Sequence, residues 1–273
     1  MLAVLMITWR ETIEASLIVG ILLTYLAKIG QTKQFRYVYY GVSWAVLASF
    51  IFAGLTTYVD LFVAGVGKEI FDAVVLFVAV VVLTHMVVWM HHNAREIRGE
   101  IQKKADLAIS SHHLWALAIL AFAGVFREGV ETVLFLWGLV LQAGGAVSFS
   151  SQVVGGVLGV LFGVAMTWLF FKGFGHLDLR LFFRVSGVLL LFIAAGMLAA
   201  SVGKLIAADL LPPLLNPLWD SSRLLDERGL IGSIVAGLLG YRSRPSLMEV
   251  ISYGMYFPVV VLWLRLNRHD LAE

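Results

Sequence analysis

The chain has 273 residues, 60% of them apolar and only 14% charged, with a mean hydropathy of +0.90 and a formal net charge of +2. This composition lies outside the range of soluble domains and predicts an integral membrane domain, with lipid as a partner and no nucleic acid. The absence of cysteine excludes disulfides, thiolate metal sites and iron–sulfur clusters.

Apolar runs long enough to cross a bilayer follow one another along the chain. They predict seven transmembrane helices at about 2–27, 38–59, 70–90, 114–141, 152–172, 185–207 and 248–264. The predicted fold class is an all-α integral membrane protein. We expect a single membrane domain over residues 1–273, with helices 1–3 at about 1–92, helices 4–6 at about 113–207, a loop at about 208–247, and helix 7 at about 248–264.

Basic residues predict how the helices are oriented, because cytoplasmic loops of membrane proteins carry an excess of Lys and Arg. The basic residues gather in alternate connections, in four groups: Lys28, Lys33 and Arg36; Arg95, Arg98, Lys103 and Lys104; Lys172, Arg180 and Arg184; Arg265 and Arg268. We therefore expect the N-terminus outside and the C-terminus inside.

An Arg-Glu-x-x-Glu motif stands in the middle of the first predicted helix and recurs in the fourth. The two copies are Arg10, Glu11 and Glu14, and Arg127, Glu128 and Glu131. Each such charge near a helix centre opposes membrane insertion by about 2.5 to 3.5 kcal/mol, so charges at this depth are seldom kept for packing alone. The motifs are therefore the first candidates for a functional site.

The spacing of the two motifs predicts an inverted repeat. They recur three helices apart, so the two helices cross the membrane in opposite directions while carrying the same pattern at similar depth. Leu17 also aligns with Leu134, and Leu22 with Leu139. Helices 1–3 and 4–6 are then the two halves, helix 7 is extra, and a substrate is expected at the midplane between the halves.

Helical geometry groups the motif carboxylates into a candidate cation site. Residues three or four apart share a helix face, so both acids of a motif point together, with the arginine one turn from the second acid. We expect Glu11 level with Glu131 and Glu14 level with Glu128, in layers about 4.5 Å apart. Such an oxygen cage suits a hard, multivalent cation.

The motif arginines have two open roles, since Arg10 and Arg127 could keep the acids ionised or repel the ion onward. The alternative for the whole motif is a buried ion-pair network that only joins the helices. In that case Glu11→Gln would lower the amount of folded protein, whereas a ligand role predicts normal folding and lost transport.

The third predicted helix offers candidates at both ends of a permeation path. Glu69 and Asp72 stand at its outer end, where they could attract cations or merely cap a solvated helix start. His85 and Met86 stand in its inner half and could pass a metal toward the cytoplasm. Trp89 is interpreted as an anchor at the membrane interface.

The motif helices also carry a family resemblance. The segments TWRETIEASLIVGILLTYL and FREGVETVLFLWGL resemble the paired helices of the oxidase-dependent iron permease family, which includes the fungal high-affinity iron permease and bacterial EfeU-type transporters. The resemblance covers nearly the whole chain. It implies iron import across the plasma membrane, in bacteria the inner membrane, with Glu11, Glu14, Glu128 and Glu131 as ligands of the transported Fe²⁺ or Fe³⁺.

The resemblance further implies a transporter and not an enzyme, with no permanently bound cofactor. A separate protein, a multicopper oxidase or a periplasmic companion, would oxidise or deliver the iron. Two alternatives remain open. One is a carrier or exporter of another hard metal such as manganese, because carboxylates serve several hard cations. The other is a membrane di-iron oxidase, although such sites usually pair Glu with His three residues on.

Overall fold

The computed structural model describes residues 1–63, 65–93, 97–110, 113–144, 149–172, 179–227 and 229–266. The described residues form helices joined by short connections, except for the long connection between Ala207 and Leu230, and none of the described residues lies in a β-strand. Nine α-helices are described in chain order: α1 Leu2–Lys28, α2 Phe35–Phe62, α3 Val66–Asn93, α4 Ile97–Ser110, α5 Trp115–Gln142, α6 Phe149–Phe171, α7 Leu179–Ala207, α8 Leu230–Leu239 and α9 Leu247–Leu266. A 3₁₀ turn over Thr32–Gln34 precedes α2.

Five stretches within these helices are long and apolar enough to cross a membrane, lying in or around α2, α3, α6, α7 and α9. Helices α1 and α5 have comparable lengths, 27 and 28 residues, but each carries the three charges of a motif in its middle. At a rise of 1.5 Å per residue they extend about 40 Å, longer than a hydrocarbon core of about 30 Å. The described residues therefore confirm an all-α fold in which five helices are long and apolar enough to cross a membrane.

Two short helices lie in segments that we expected to be connections. Helix α4 is largely polar, and it packs its apolar residues Ile101, Ala105 and Ala108 against α1 and α5. Helix α8 is apolar and too short to span a bilayer. It ends at Gly240, whose φ of 68° lies in the left-handed region, and the backbone there lies against Gly196 of α7.

Small residues allow each motif helix to pack closely against a helix of the other half. The carbonyl oxygen of Met1, which caps the start of α1, lies against Gly155 of α6, and the carbonyl oxygen of Ala118 in α5 lies against Gly41 of α2. The two contacts correspond to each other, because adding 117 to a residue number in α1 gives its counterpart in α5 (1 and 118), and adding 114 to one in α2 gives its counterpart in α6 (41 and 155). A second pair of contacts follows the same rule: Thr12 contacts Gly163, and their counterparts Gly129 and Ser49 also contact each other.

Helices α3 and α7 pack against each other with a similar correspondence. The Ser201 hydroxyl donates to the Ala73 carbonyl oxygen at 2.8 Å, while Val87 lies beside Gly187. Adding 114 to a residue number in α3 gives its counterpart in α7, so Ala73 corresponds to Gly187 and Val87 corresponds to Ser201. The two contacts are therefore counterparts of each other. The contacts of the first three long helices therefore recur in the next three.

The apolar core lies between α1, α3, α5, α7 and α9. Fully buried side chains in it include Ile7, Leu76, Leu83, Phe135, Ile193 and Met197. Arg10, Glu11, Glu14 and Glu128 are buried beside this core, so their charges need partners within the protein.

Candidate metal site at the centre of the bundle

Arg10 is held inside the bundle by both acids of its own motif. Its Nη1 lies 2.9 Å from Glu11 Oε1 and its Nη2 lies 2.8 Å from Glu14 Oε1. Nη1 also donates to the sulfur of Met86 at 3.1 Å. All three motif residues are buried, and the expected proximity of Arg10 and Glu14 is confirmed. Arg10 is thus a buried partner of both Glu11 and Glu14.

Arg127 has the same sequence position in the second motif but different surroundings. Its Nε donates to Glu131 Oε1 at 2.9 Å, while Glu128 Oε1 lies further away at 3.7 Å. Its guanidinium carbon lies 5.1 Å from the centre of the Trp89 ring, within the range of a cation–π contact. The Arg127 side chain is 45% exposed, whereas that of Arg10 is 2% exposed.

Carboxyl groups from the two motifs meet between α1 and α5. Glu11, Glu128 and Glu131 can each offer one oxygen so that all three atoms lie within 4.8 Å of one another. This differs from the expected layers, because Glu11 reaches both acids of α5 and not Glu131 alone. Glu14 stands beside this group and is joined to it through Arg10.

The oxygens of this cluster fit a cation. The second carboxylate oxygens of Glu11, Glu128 and Glu131 are buried without a hydrogen-bond partner. Buried polar atoms are nearly always paired, and leaving one unpaired is costly. The four motif acids and two arginines carry a formal charge of −2 when ionised. A divalent cation would neutralise that charge and occupy the unpaired oxygens.

A cavity of about 360 Å³ opens beside the cluster, between α3 and α5. Its lining residues are Val82, His85, Met86, Trp89, Arg127 and Glu131. His85 and Met86, the residues expected on the inner side of a path, thus lie beside Glu131 and Arg127 of the second motif. Trp89, which we interpreted as an interface anchor, also contacts Arg127, whose guanidinium carbon lies 5.1 Å from the centre of the ring.

Glu69 and Asp72 lie at the opposite end of α3 and contact a lysine that the sequence analysis missed. Lys204 of α7 lies 2.9 Å from Glu69 Oε2 and 2.9 Å from Asp72 Oδ2. Asp72 is buried, with Lys68 at 3.8 Å, and Lys68 also binds Asp60 at 2.6 Å. This geometry favours an ion-pair clamp between α3 and α7. No sequence spacing indicates it, because Lys204 lies 132 residues beyond Asp72.

The 208–247 segment covers the same end of the bundle. Gln142 at the end of α5 donates to the Ala236 carbonyl oxygen of α8 at 3.1 Å. Arg242 forms an ion pair with Glu249 of α9 directly over Gly203. The segment therefore packs on the ends of α5 and α7, away from the cavity that His85 lines.

The helices and the buried charges together define a multi-pass α-helical membrane protein with a carboxylate-rich centre. The chain belongs to the iron permease FTR1 family, whose model matches residues 1–267. It is 31% identical to the ferrous iron permease EfeU of Escherichia coli O6:H1 (strain CFT073), over 95% of this chain and 94% of that protein. The earlier resemblance to iron permeases is confirmed.

Two further relatives match over similar lengths. The ferrous iron permease EfeU of Yersinia pestis is 30% identical over 94% of this chain and 91% of that protein. An uncharacterized protein of Archaeoglobus fulgidus is 32% identical over 92% of this chain and 90% of that protein. No solved structure matches the chain.

Proposed function

We propose that this protein imports iron across the plasma membrane through a site formed by Glu11, Glu14, Glu128 and Glu131. The observation that carries the proposal is the meeting of three carboxyls from α1 and α5 within 4.8 Å, with unpaired buried oxygens, in a member of an iron permease family. The ion is substrate and not a resident cofactor, and no permanent cofactor is needed for this role.

The proposed substrate is ferrous iron. The two EfeU relatives are named ferrous iron permeases, and a divalent ion balances the formal charge of −2 on the motif residues. Carboxylate oxygens are hard ligands that bind several divalent metals, so chemistry alone does not separate iron from manganese. Competition between the two ions is therefore part of the test.

The proposed topology has seven spans, with α1 and α5 added to the five apolar ones. The recurrence of contacts at offsets of 117 and 114 supports an inverted 3+3 repeat with its axis between the motifs. The basic connections support an N-terminus outside and a C-terminus inside. In this orientation the cavity beside His85 and Met86 faces the cytoplasm, and α8 covers the outer side.

Iron would then reach the carboxylates from the outer side and leave through the cavity. A separate iron-oxidising or iron-delivering protein is proposed to supply the ion. The interior-negative potential would favour inward movement of each positive charge by about 2.3 kcal/mol per 100 mV.

Radioiron accumulation in bacteria without their own iron importers tests this function. We expect uptake with the wild-type chain and its loss with Glu128→Gln at equal membrane abundance, because the variant removes one negative charge and one ligand oxygen. Glu100→Gln is the matched control, since Glu100 lies on α4 and, among the residues that the structure describes, forms an ion pair with exposed Lys104 at 2.7 Å. Uptake of manganese in preference to iron, or no uptake by the wild type, would contradict the proposal.

A further inference from the structure

The two motif arginines, although equivalent in sequence, have different freedom to move. Arg10 has both of its terminal nitrogens engaged by carboxylates and is enclosed by the core. Arg127 has one close carboxylate, Glu131, and its other side faces the cavity. A cation arriving at Glu128 and Glu131 would repel Arg127, and the cavity gives that side chain somewhere to go.

Trp89 provides the surface that would receive the displaced guanidinium. The ring already lies 5.1 Å from the Arg127 guanidinium carbon and lines the same cavity as Glu131. Positions in α3 and α7 correspond at a separation of 114 residues, so the counterpart of Trp89 in α7 is Gly203. At Gly203 the space is filled by the Arg242–Glu249 pair, so Arg10 has no equivalent aromatic partner there.

We propose that Arg127 is a tethered cation that occupies the cavity side of the carboxylate cluster until the transported ion displaces it, and that Trp89 is the positioning residue that holds it once displaced. This inference rests on the proposed function and assigns a role within the same site. It also gives the two arginines separate tasks: Arg10 compensates charge permanently, and Arg127 exchanges with the substrate.

The energetic consequence follows from what Arg127 contacts in each state. Without the ion, Arg127 has both Glu131 and Trp89 as partners. With the ion on the carboxylates, Trp89 is the partner that remains. Removing the ring should therefore destabilise the ion-bound state more than the empty state and weaken ion binding. Between its exposed and its desolvated limit, a cation–π contact corresponds to about two- to thirty-fold in affinity. Because the Arg127 side chain is 45% exposed, we expect a change inside that range, of about three- to ten-fold.

The test is radioiron binding to the purified full-length protein, measured by equilibrium dialysis of Fe²⁺ under reducing, oxygen-free conditions. Trp89→Leu should raise the apparent Kd about three- to ten-fold, and Trp89→Phe, which keeps an aromatic face, should raise it less. Trp168→Leu is the matched control, because Trp168 lies on α6, away from the cluster, and its ring centre lies 4.0 Å from the ammonium of Lys172, which follows that helix. Elution volume and helical content establish that each variant is folded.

A double-mutant cycle separates this role from a general packing effect. With Arg127→Gln there is no guanidinium to hold, so adding Trp89→Leu should change the Kd by less than about two-fold. If Trp89→Leu changed the Kd for Fe²⁺ by the same factor in the wild-type and the Arg127→Gln proteins, the proposal would be overturned. It would also be overturned if the Trp89→Leu protein had the same Kd as the Trp168→Leu control. Absence of any iron binding by the wild type would overturn the proposed function, and this inference with it.

Discussion

Arg10 and Arg127 hold the same position in a repeated motif, yet the first side chain is 2% exposed and the second is 45% exposed. Arg10→Gln should therefore lower the free energy of unfolding much more than Arg127→Gln does. Loss of one member of a buried ion pair costs about 3–5 kcal/mol, because the partner charges remain buried and uncompensated. Thermal and denaturant unfolding of the two variants in detergent provides the comparison.

Arg127 can be replaced at lower cost because its side chain is 45% exposed, and ion pairs that water reaches contribute less to stability. Equal destabilisation by Arg10→Gln and Arg127→Gln would contradict the difference in their surroundings. Arg10→Lys is a useful companion variant. It retains the charge but not the two-pronged contact with Glu11 and Glu14, so we expect a stability between those of Arg10→Gln and the wild type.

Asp72→Asn should destabilise the packing of α3 against α7. Asp72 is 1% exposed and lies 2.9 Å from Lys204, which keeps Glu69 as a partner, so we expect the substitution to cost about 1.5–3 kcal/mol, the range for a hydrogen bond between charged groups. Glu69→Gln removes the other carboxylate that contacts Lys204. Because Glu69 is only partly buried, we expect the free energy of unfolding to fall by about 1 kcal/mol or less. Unfolding measurements on both variants make the comparison within one cluster.

Radioiron uptake by the same two variants distinguishes two roles of Glu69 and Asp72: joining α3 to α7 through Lys204, or attracting cations to the permeation path. If they only join the helices, uptake per folded molecule stays near the wild-type value at limiting iron. Selective loss of uptake in folded Asp72→Asn protein would instead assign Asp72 to the ion path.

Gly159 and Gly156 lie three residues apart on α6 and should respond oppositely to alanine. A methyl group at Gly159 would lie 2.8 Å from the Leu5 carbonyl oxygen and 2.8 Å from Thr8 Cβ, which forces α1 and α6 apart. We expect a loss of about 1–3 kcal/mol in the free energy of unfolding. At Gly156 no atom lies within 4 Å of an added methyl, so the better helix propensity of alanine should raise stability by up to about 1 kcal/mol.

Unfolding experiments on Gly159→Ala and Gly156→Ala check both signs at once. If Gly159→Ala were as stable as Gly156→Ala, the close approach of α1 and α6 would be wrong. The carboxylates on α1 would then have different neighbours from those described.

Hydropathy predicted the long helices well because bilayer thickness sets their length. The runs at about 2–27 and 114–141 agree with α1 at Leu2–Lys28 and α5 at Trp115–Gln142. Helix α4 was not predicted, since its polar composition gives no apolar run and its basic residues indicated only a cytoplasmic connection. The pairing of arginine and glutamate within each motif could be predicted because residues four apart are neighbours on any α-helix.

Contacts between distant segments could not be predicted in this way. Trp89 contacts Arg127 from another helix, and Lys204 reaches Asp72 across the interface of α3 and α7. The expected layering of the glutamates assumed two helices in ideal register. The structure instead brings Glu11 to both acids of α5, because tilt and side-chain direction decide which carboxyls meet.

The most direct test of the central claim is the amount of Fe²⁺ bound by the purified protein after oxygen-free equilibrium dialysis, for wild type, Glu11→Gln, Glu128→Gln and Glu100→Gln. The account predicts that wild type and Glu100→Gln bind iron equally, whereas Glu11→Gln and Glu128→Gln remain folded and lose most of it. Undiminished binding by folded Glu11→Gln and Glu128→Gln would contradict a carboxylate site shared by α1 and α5.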